Sequence, residues 1–195
     1  GEETDVVLLH GSTVATNAIL EGKGATVALV TNRGFEDVLE IGRQDRPQLY
    51  ALVGHRPPPL VPRESRLGIA GRLGPQGEEL EPLDVHELAQ LADRIARTGA
   101  TSVAVCMLHA YANGAHEDRV AEALRPLGLP TSVSSRLLPE YREFERTSTT
   151  VVNAYVAPLM GRYLERLAAE SGAAAVAVMG SNGGTLAVER AVREP

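Results

Sequence analysis

A histidine, a glycine and two hydroxyl residues stand together in the run His10-Gly11-Ser12-Thr13, directly after the apolar residues 6–9. The glycine allows another group to approach the backbone closely. The hydroxyls precede the segment 14–20, which has a helical pattern, and the free N–H groups at a helix N-terminus attract anions such as phosphate. The run therefore predicts an anion site, although a simple capped helix start with an incidental histidine explains the same residues.

A second small and polar run, Ser181-Asn182-Gly183-Gly184, follows the apolar residues 174–179. Two adjacent glycines permit positive φ and expose backbone N–H groups, which can form a nest for a phosphate or a carboxylate. Asn-Gly is also a common signal for a tight turn, and the run taken alone favours that interpretation. The spacing matches neither a Walker P-loop nor the Gly-x-Gly-x-x-Gly turn of dinucleotide-binding proteins.

Charged residues crowd the segment just before a long helical pattern. Glu143 and Glu145 are spaced as a pair of carboxylates that can do acid–base work, and Arg146 follows them. Such a run is more often a solvated helix start, because acidic side chains favour the positive end of the helix dipole. Glu143 and Glu145 are nevertheless the candidates for a general base.

The remaining reactive side chains do not form a recognised centre. Cys106, His109 and His116 lack the spacing of a zinc site, and Cys106 lies within an apolar strand, where it is expected as a small core residue. A Gly-x-Ser-x-Gly nucleophile elbow is absent from the sequence. We therefore predict no metal ligands in this sequence.

Composition excludes several classes of protein. The chain of 195 residues carries 19 basic and 25 acidic side chains, a net charge of −6, whereas binders of nucleic acid or anionic membranes need a net basic face. Its single cysteine cannot form an internal disulfide, which favours a reducing compartment. Its apolar runs are far shorter than the ~20 residues of a membrane helix, and its first residues lack the plan of a signal peptide. We expect a cytoplasmic protein.

The elements that must position these residues alternate between strands and helices, which predicts an α/β fold with a largely parallel sheet. In such sheets ligands bind beyond the carboxyl ends of the strands, where both polar runs stand. The predicted strands are 6–9, 25–30, 102–108, 131–133 and 174–179, and the predicted helices are 14–20, 35–39, 84–98, 116–124 and 147–169.

Residues 43–83 interrupt this alternation. The proline-rich part, 43–63, predicts an ordered excursion, and 64–80 predicts a small hairpin with a strand over 65–73 and a turn at 74–77. Asp84 then predicts a helix N-cap, with Glu87 completing a capping box. Pro158 lies inside the last long helix, which it should kink or break.

Ordered blocks along nearly the whole chain resemble the hydantoinase A / 5-oxoprolinase family. Residues 10–20, HGSTVATNAIL, are similar to the family signature HGTTVATNALL, with Ser12 in place of the usual threonine. Further matching blocks are 29–44, 46–50, 60–63, 104–113, 116–117, 143–155 and 181–184.

The resemblance implies a partial actin-like ATPase (ribonuclease H-like) domain with an inserted proline-rich loop and β-hairpin. Its parts would be 1–42, then the insertion 43–83, then 84–195 with the long helix and the start of a second lobe. It also implies ATP-dependent ring opening of a cyclic amide such as a hydantoin or 5-oxoproline, in which ATP phosphorylates the amide oxygen and water attacks. Mg²⁺ is expected with ATP.

Family members are several times longer and carry glycine-rich phosphate loops that do not occur in this sequence. The resemblance therefore implies a fragment that lacks a complete ATP site and is inactive alone. It also implies a B-type partner subunit. A homo-oligomer, an acetone carboxylase-type subunit and a non-catalytic module that docks the B-type subunit remain open.

The resemblance also suggests roles for the residues above. His10, Gly11, Ser12 and Thr13 would border the phosphate or substrate end of a cleft, with Asn17 supporting that turn from the helix. Residues 181–184 would face the same cleft. Arg146 would bind a substrate carboxylate or neutralise phosphoryl charge, as guanidinium groups do well.

Overall fold

The computed structural model describes residues 7–44, 50, 57–180 and 183–193. In chain order its elements are β1 (Val7–His10), α1 (Val14–Leu20), β2 (Val27–Asn32), α2 (Val38–Ile41), β3 (Arg66–Ile69), β4 (Arg72–Leu73), β5 (Glu79–Glu81), α3 (Val85–Ala96), β6 (Ser102–Val105), α4 (Ala115–Leu124), β7 (Thr131–Val133), α5 (Ser134–Leu137), α6 (Glu143–Glu170), β8 (Ala175–Met179), β9 (Thr185–Ala187) and α7 (Val188–Arg193).

The chain forms two compact units. Unit 1 comprises Gly1–Ala25 and Tyr155–Pro195, and unit 2 comprises Thr26–Ala154. Helix α6 contributes its first residues to unit 2 and the rest to unit 1. These boundaries differ from the sequence-based division into 1–42, 43–83 and 84–195, since a contact between distant segments leaves no mark in local composition.

Unit 2 is built on a parallel sheet with the strand order β3-β2-β6-β7. Every residue of β2 and of β6 is buried, as expected for central strands that are covered on both faces. Leu91 and Ile95 of α3 and Val120 of α4 pack into the core against this sheet. The predicted α/β alternation is confirmed here.

The start of α3 confirms part of the predicted capping box. The Asp84 carboxylate accepts hydrogen bonds from the N–H groups of His86 and Glu87, at 2.8 and 3.0 Å. Glu87 does not return to Asp84. Its carboxylate instead accepts the Ala70 N–H at 2.9 Å and pairs with Arg33. Glu87 thereby links α3 to the loop after β3.

The prediction of one hairpin strand over 65–73 is wrong. Residues Arg66–Ile69 pair in parallel with β2, and the hairpin is formed by the shorter β4 and β5. The Arg66 side chain is buried in this arrangement and is held by the Val61 carbonyl at 2.9 Å and by Glu40 at 3.0 Å. The region predicted as an insertion therefore supplies a strand of the unit 2 sheet.

Unit 1 contains a three-stranded sheet with the order β1-β8-β9, in which β1 and β8 are parallel. Met160, Leu164, Val178 and Ala191 form its core. The sequence analysis did not predict β9 or α7.

Gly24 lies against Tyr155 so closely that a side chain on the glycine would overlap the ring. The N–H of Ala25 donates to the Tyr155 carbonyl at 2.9 Å. This close approach is the reason for a glycine at position 24.

Helix α6 begins four residues before its predicted start and continues through Pro158, so the helix does not break there, and the predicted kink stays a prediction. Hydroxyls of Thr147 and Thr150 donate to the carbonyls of Glu143 and Arg146, each at 2.7 Å. These bonds satisfy side chains that otherwise compete with helix formation. Across the described ranges, we find no helix with both the length and the apolar character needed to span a membrane.

Candidate functional site

The described residues that follow β1 and β8 lie at one edge of the unit 1 sheet. His10 is in register with Val178, so the parallel strands β1 and β8 end together. The position of a Cβ on Gly11 would be 4.0 Å from the Met179 sulfur. Ser181 and Asn182 fall outside the described residues. The carboxyl ends of β1 and β8 are therefore neighbours, and the shared cleft of the two runs stays a prediction.

The glycines after β8 form a tight turn with an open face. Gly183 and Gly184 have φ of +87° and +81°, which other residues rarely adopt. The Gly183 N–H donates to the Gly180 carbonyl, and the Gly180 N–H donates to the Gly184 carbonyl, both at 3.1 Å. A Cβ on either glycine would meet no described residue within 4 Å.

The turn after β1 presents exposed hydroxyls. Ser12 Oγ accepts the Val14 N–H at 3.1 Å, and Thr13 occupies the N-cap position of α1 without a side-chain cap bond. Asn17 is exposed and donates its backbone N–H to Thr13. Its role as a side-chain support stays a prediction. Since α1 has seven residues, its dipole contributes little and the hydroxyls are the main polar feature.

His10 has a partner that the sequence analysis missed. The Tyr163 hydroxyl lies 2.7 Å from His10 Nε2, and the two rings are 5.6 Å apart. When the phenol donates to Nε2, the proton of the neutral imidazole is on Nδ1. No local signal links two residues this far apart in the sequence.

In unit 2 the Arg146 side chain is almost completely buried, at 1% exposure. Its Nη2 donates to the Met107 carbonyl at 2.7 Å, and its guanidinium carbon lies 5.7 Å from the centre of the Tyr111 ring. Its Nε and Nη1 have no hydrogen-bond partner among the described residues. A buried cation with free donors is costly unless a further group completes it.

A small pocket, partly open to solvent, lies beside this guanidinium. It is found at the carboxyl ends of β2 and β6, where α/β sheets bind ligands. Its lining is formed by Thr31, Phe35, Val38, Cys106, Met107, Leu108, Glu143, Arg146 and Thr147.

Two buried polar side chains that the sequence analysis also missed fix the loop after β6. Asn32 Oδ1 accepts the Leu108 N–H at 2.6 Å. The Glu117 carboxylate accepts the Met107 N–H at 2.7 Å, and it also binds Ser134 Oγ and the Ser135 N–H, at 2.6 and 2.8 Å. The carbonyl that holds Arg146 is therefore anchored. The position of Asn32 at the end of a buried strand is the sequence feature that could have indicated this role.

Cys106 lies in the same pocket wall. Its sulfur lies 3.2 Å from Thr147 Oγ1, within hydrogen-bond distance. Burial raises the pKa of the Cys106 thiol, and the nearby Arg146 charge opposes that rise only in part. The thiol is therefore protonated at neutral pH, which agrees with a core residue rather than a nucleophile.

The two candidate carboxylates have different surroundings. Glu145 binds Arg43 at 2.7 Å, and this hydrogen bond lowers the pKa of the Glu145 carboxyl. A lowered pKa makes Glu145 a weaker proton acceptor. Glu143 is exposed and lines the pocket beside Arg146. Glu143, Glu145 and Arg146 belong to unit 2, while the polar turns belong to unit 1, so a shared cleft stays a prediction.

Comparison with known proteins gives a consistent result. The pattern described as the Hydantoinase/oxoprolinase N-terminal region matches residues 2–128, and the pattern described as Hydantoinase/oxoprolinase matches residues 146–195. The chain is 37% identical over 163 residues to the caprolactamase alpha subunit of Pseudomonas jessenii, covering 82% of this chain and 23% of the relative. It is 35% identical over 172 residues to 5-oxoprolinase 1 of Arabidopsis thaliana, covering 79% and 14%.

The nucleotide-free structure of acetone carboxylase has the same fold, with a TM-score of 0.80 and 27% identity over 93% of this chain and 28% of that one. The chain thus spans between 14% and 28% of the length of these three proteins. These similarities confirm the predicted actin-like ATPase fold of the α/β class.

Proposed function

Since the chain belongs to the hydantoinase/oxoprolinase family, we propose that the protein of which it forms part uses ATP to open the ring of a cyclic amide. Two relatives are named for such substrates, a caprolactamase and a 5-oxoprolinase. The observation that carries the proposal is the pair of neighbouring turns after β1 and β8, which gather glycines and hydroxyls at one strand edge.

The residues of these turns fit the phosphate end of a nucleotide in part. Among the described residues, Gly183 and Gly184 leave open space where a Cβ would stand, and Ser12 and Thr13 offer exposed hydroxyls. Bound with Mg²⁺, ATP supplies the phosphoryl group that activates an amide oxygen. We assign to Ser12 and Thr13 the donation of hydrogen bonds to phosphate oxygens, and to His10 a place at the border of the same site.

Among the unit 2 residues, we assign proton transfer to Glu143 and charge neutralisation to Arg146. Glu143 is the better acceptor of a proton from water because Glu145 is engaged by Arg43. A buried guanidinium is well suited to stabilising charge that develops in a transition state. The relative's name, caprolactamase subunit alpha, supports a second subunit, for which a B-type subunit is the proposed partner.

The test is ADP release by the full-length protein, purified with its B-type subunit, in the presence of 5-oxoproline, hydantoin or caprolactam. We expect at least one cyclic amide to stimulate ADP release and to yield the ring-opened acid. The double variant S12A/T13A should raise the KM for ATP about tenfold or more, because it removes two phosphate ligands. T16A, an exposed threonine of the same helix, is the matched control. Absence of stimulation by any cyclic amide would refute the proposal.

A carboxylase is the second candidate, because acetone carboxylase shares the fold over 93% of this chain. In that case acetone with bicarbonate would stimulate ADP release and the cyclic amides would not. The same assay therefore separates formation of a carbon–carbon bond from hydrolysis of an amide.

A further inference from the structure

The Arg146 side chain is the least satisfied polar group in the described part of unit 2. A guanidinium carries five N–H donors, and three of them belong to Nε and Nη1, for which no partner is present among the described residues. The Glu117 carboxylate is already committed to Met107, Ser134 and Ser135. Within the described ranges no carboxylate lies within ion-pair distance of Arg146. Among the residues that the structure describes, its charge therefore lacks a counter-ion.

We propose that the pocket beside Arg146 binds a small oxyanion, with the guanidinium as its cation. Arg146 is one of the residues that line the pocket, and a carboxylate or phosphoryl oxygen accepts charge-assisted hydrogen bonds from guanidinium donors. The apolar neighbours Phe35, Val38 and Leu108 lower the local dielectric, so the attraction is stronger than at an exposed arginine.

The guanidinium is held in place before a ligand arrives. Met107 accepts from Nη2, the Tyr111 ring lies beside the guanidinium, and Asn32 and Glu117 fix the loop that carries the Met107 carbonyl. A cation that is ordered in advance loses little conformational freedom when it binds an anion. This arrangement distinguishes Arg146 from Arg142, which is exposed beside Tyr141.

Glu143 narrows the class of ligand. Its carboxylate lines the same pocket, repels a bare anion and accepts hydrogen bonds from an N–H group. A lactam that carries a carboxylate, as 5-oxoproline does, offers an anion to Arg146 and an N–H to Glu143. We therefore expect a substrate carboxylate in this pocket. This assignment to a substrate rests on the proposed function, whereas anion binding by the pocket does not.

The substrate test compares two lactams that differ by one group. 5-Oxoproline and 2-pyrrolidone share the ring, and 2-pyrrolidone lacks the carboxylate. In the full-length protein with its B-type subunit, we expect kcat/KM for 5-oxoproline to exceed that for 2-pyrrolidone, and R146M to reduce this ratio about 100-fold, as expected for a lost charge-assisted bond. R142M is the matched control and should leave the ratio unchanged. An unchanged ratio in R146M would overturn the assignment to a substrate carboxylate even if ring opening is confirmed.

Anion binding is tested separately by the rise in Tm of the full-length protein with acetate or inorganic phosphate, against chloride at equal ionic strength. A rise in the wild type and in R142M that is lost in R146M supports the pocket whether or not any lactam is turned over. Acetate as the stronger ligand points to a carboxylate, and phosphate as the stronger ligand to a phosphoryl group. If R146M does not fold, R146K provides the comparison, because a lysine cannot reproduce the fork of donors. Equal shifts in wild type and variant would refute the oxyanion pocket.

Discussion

Replacing Glu117 by glutamine tests whether a buried carboxylate organises the loop that holds Arg146. In the native chain Glu117 Oε1 accepts from the Met107 N–H and from Ser134 Oγ, and Oε2 accepts from the Ser135 N–H. In E117Q one oxygen becomes an NH₂ group, so at least one buried donor faces another donor. Hydrogen bonds to a charged group contribute about 1.5–3 kcal/mol, and an unsatisfied buried group costs about 1–3 kcal/mol.

We therefore expect E117Q to lose about 3 kcal/mol of local stability, which corresponds to an increase of about 100-fold in amide exchange at Met107 and Ser135. Hydrogen exchange resolved by peptide in the full-length protein measures this directly. The control is E122Q, on the same helix, where an exposed carboxylate pairs with Arg125 at 2.9 Å and contributes at most about 1 kcal/mol. Unchanged exchange at Met107 and Ser135 in a folded E117Q protein would refute the reasoning.

Three further outcomes follow from single contacts. D84A should destabilise α3 by about 1 kcal/mol in urea unfolding, because two N–H groups lose their cap, and a loss near zero would contradict this. G24A should cost about 1–3 kcal/mol through overlap with the Tyr155 ring, and an unchanged Tm would argue against that contact. Burial raises the pKa of the Cys106 thiol above its ordinary value of 9.0, so the rate of its alkylation, followed by peptide mass spectrometry, should still increase above pH 9. A rate that reaches a plateau below pH 9 would contradict this.

Local chemistry allowed much of the fold to be predicted. The continuous apolar runs of β2 and β6 reflect burial on both faces, and Asp84 caps α3 because a carboxylate at that position reaches two free N–H groups. The family resemblance supplied the actin-like class. Both polar runs follow strands that end at the same edge, which parallel pairing of β1 and β8 requires.

Long-range contacts could not be predicted in the same way. Strand β3 joins the sheet and the Arg66 side chain is buried against the Val61 carbonyl, and no local pattern predicts either contact. The same holds for Tyr163 beside His10 and for the free donors of Arg146, since burial of a charge depends on elements far along the chain. Sequence reasoning named Arg146 from its type, whereas the structure adds the reason why an anion is expected beside it.

The order in which the segments are joined has a consequence for biosynthesis. Strand β1 leaves the ribosome before unit 2, and its partner β8 emerges only after the whole of unit 2 has been made. Unit 2 is one uninterrupted stretch and can bury its sheet without waiting for later residues, while β1 keeps an unpaired edge during that time. Pairing across so long a loop is slow, and an exposed strand edge invites aggregation. The charged and polar residues that surround β1 in the sequence, from Glu2 to Asp5 and from His10 to Thr13, limit that hazard during synthesis.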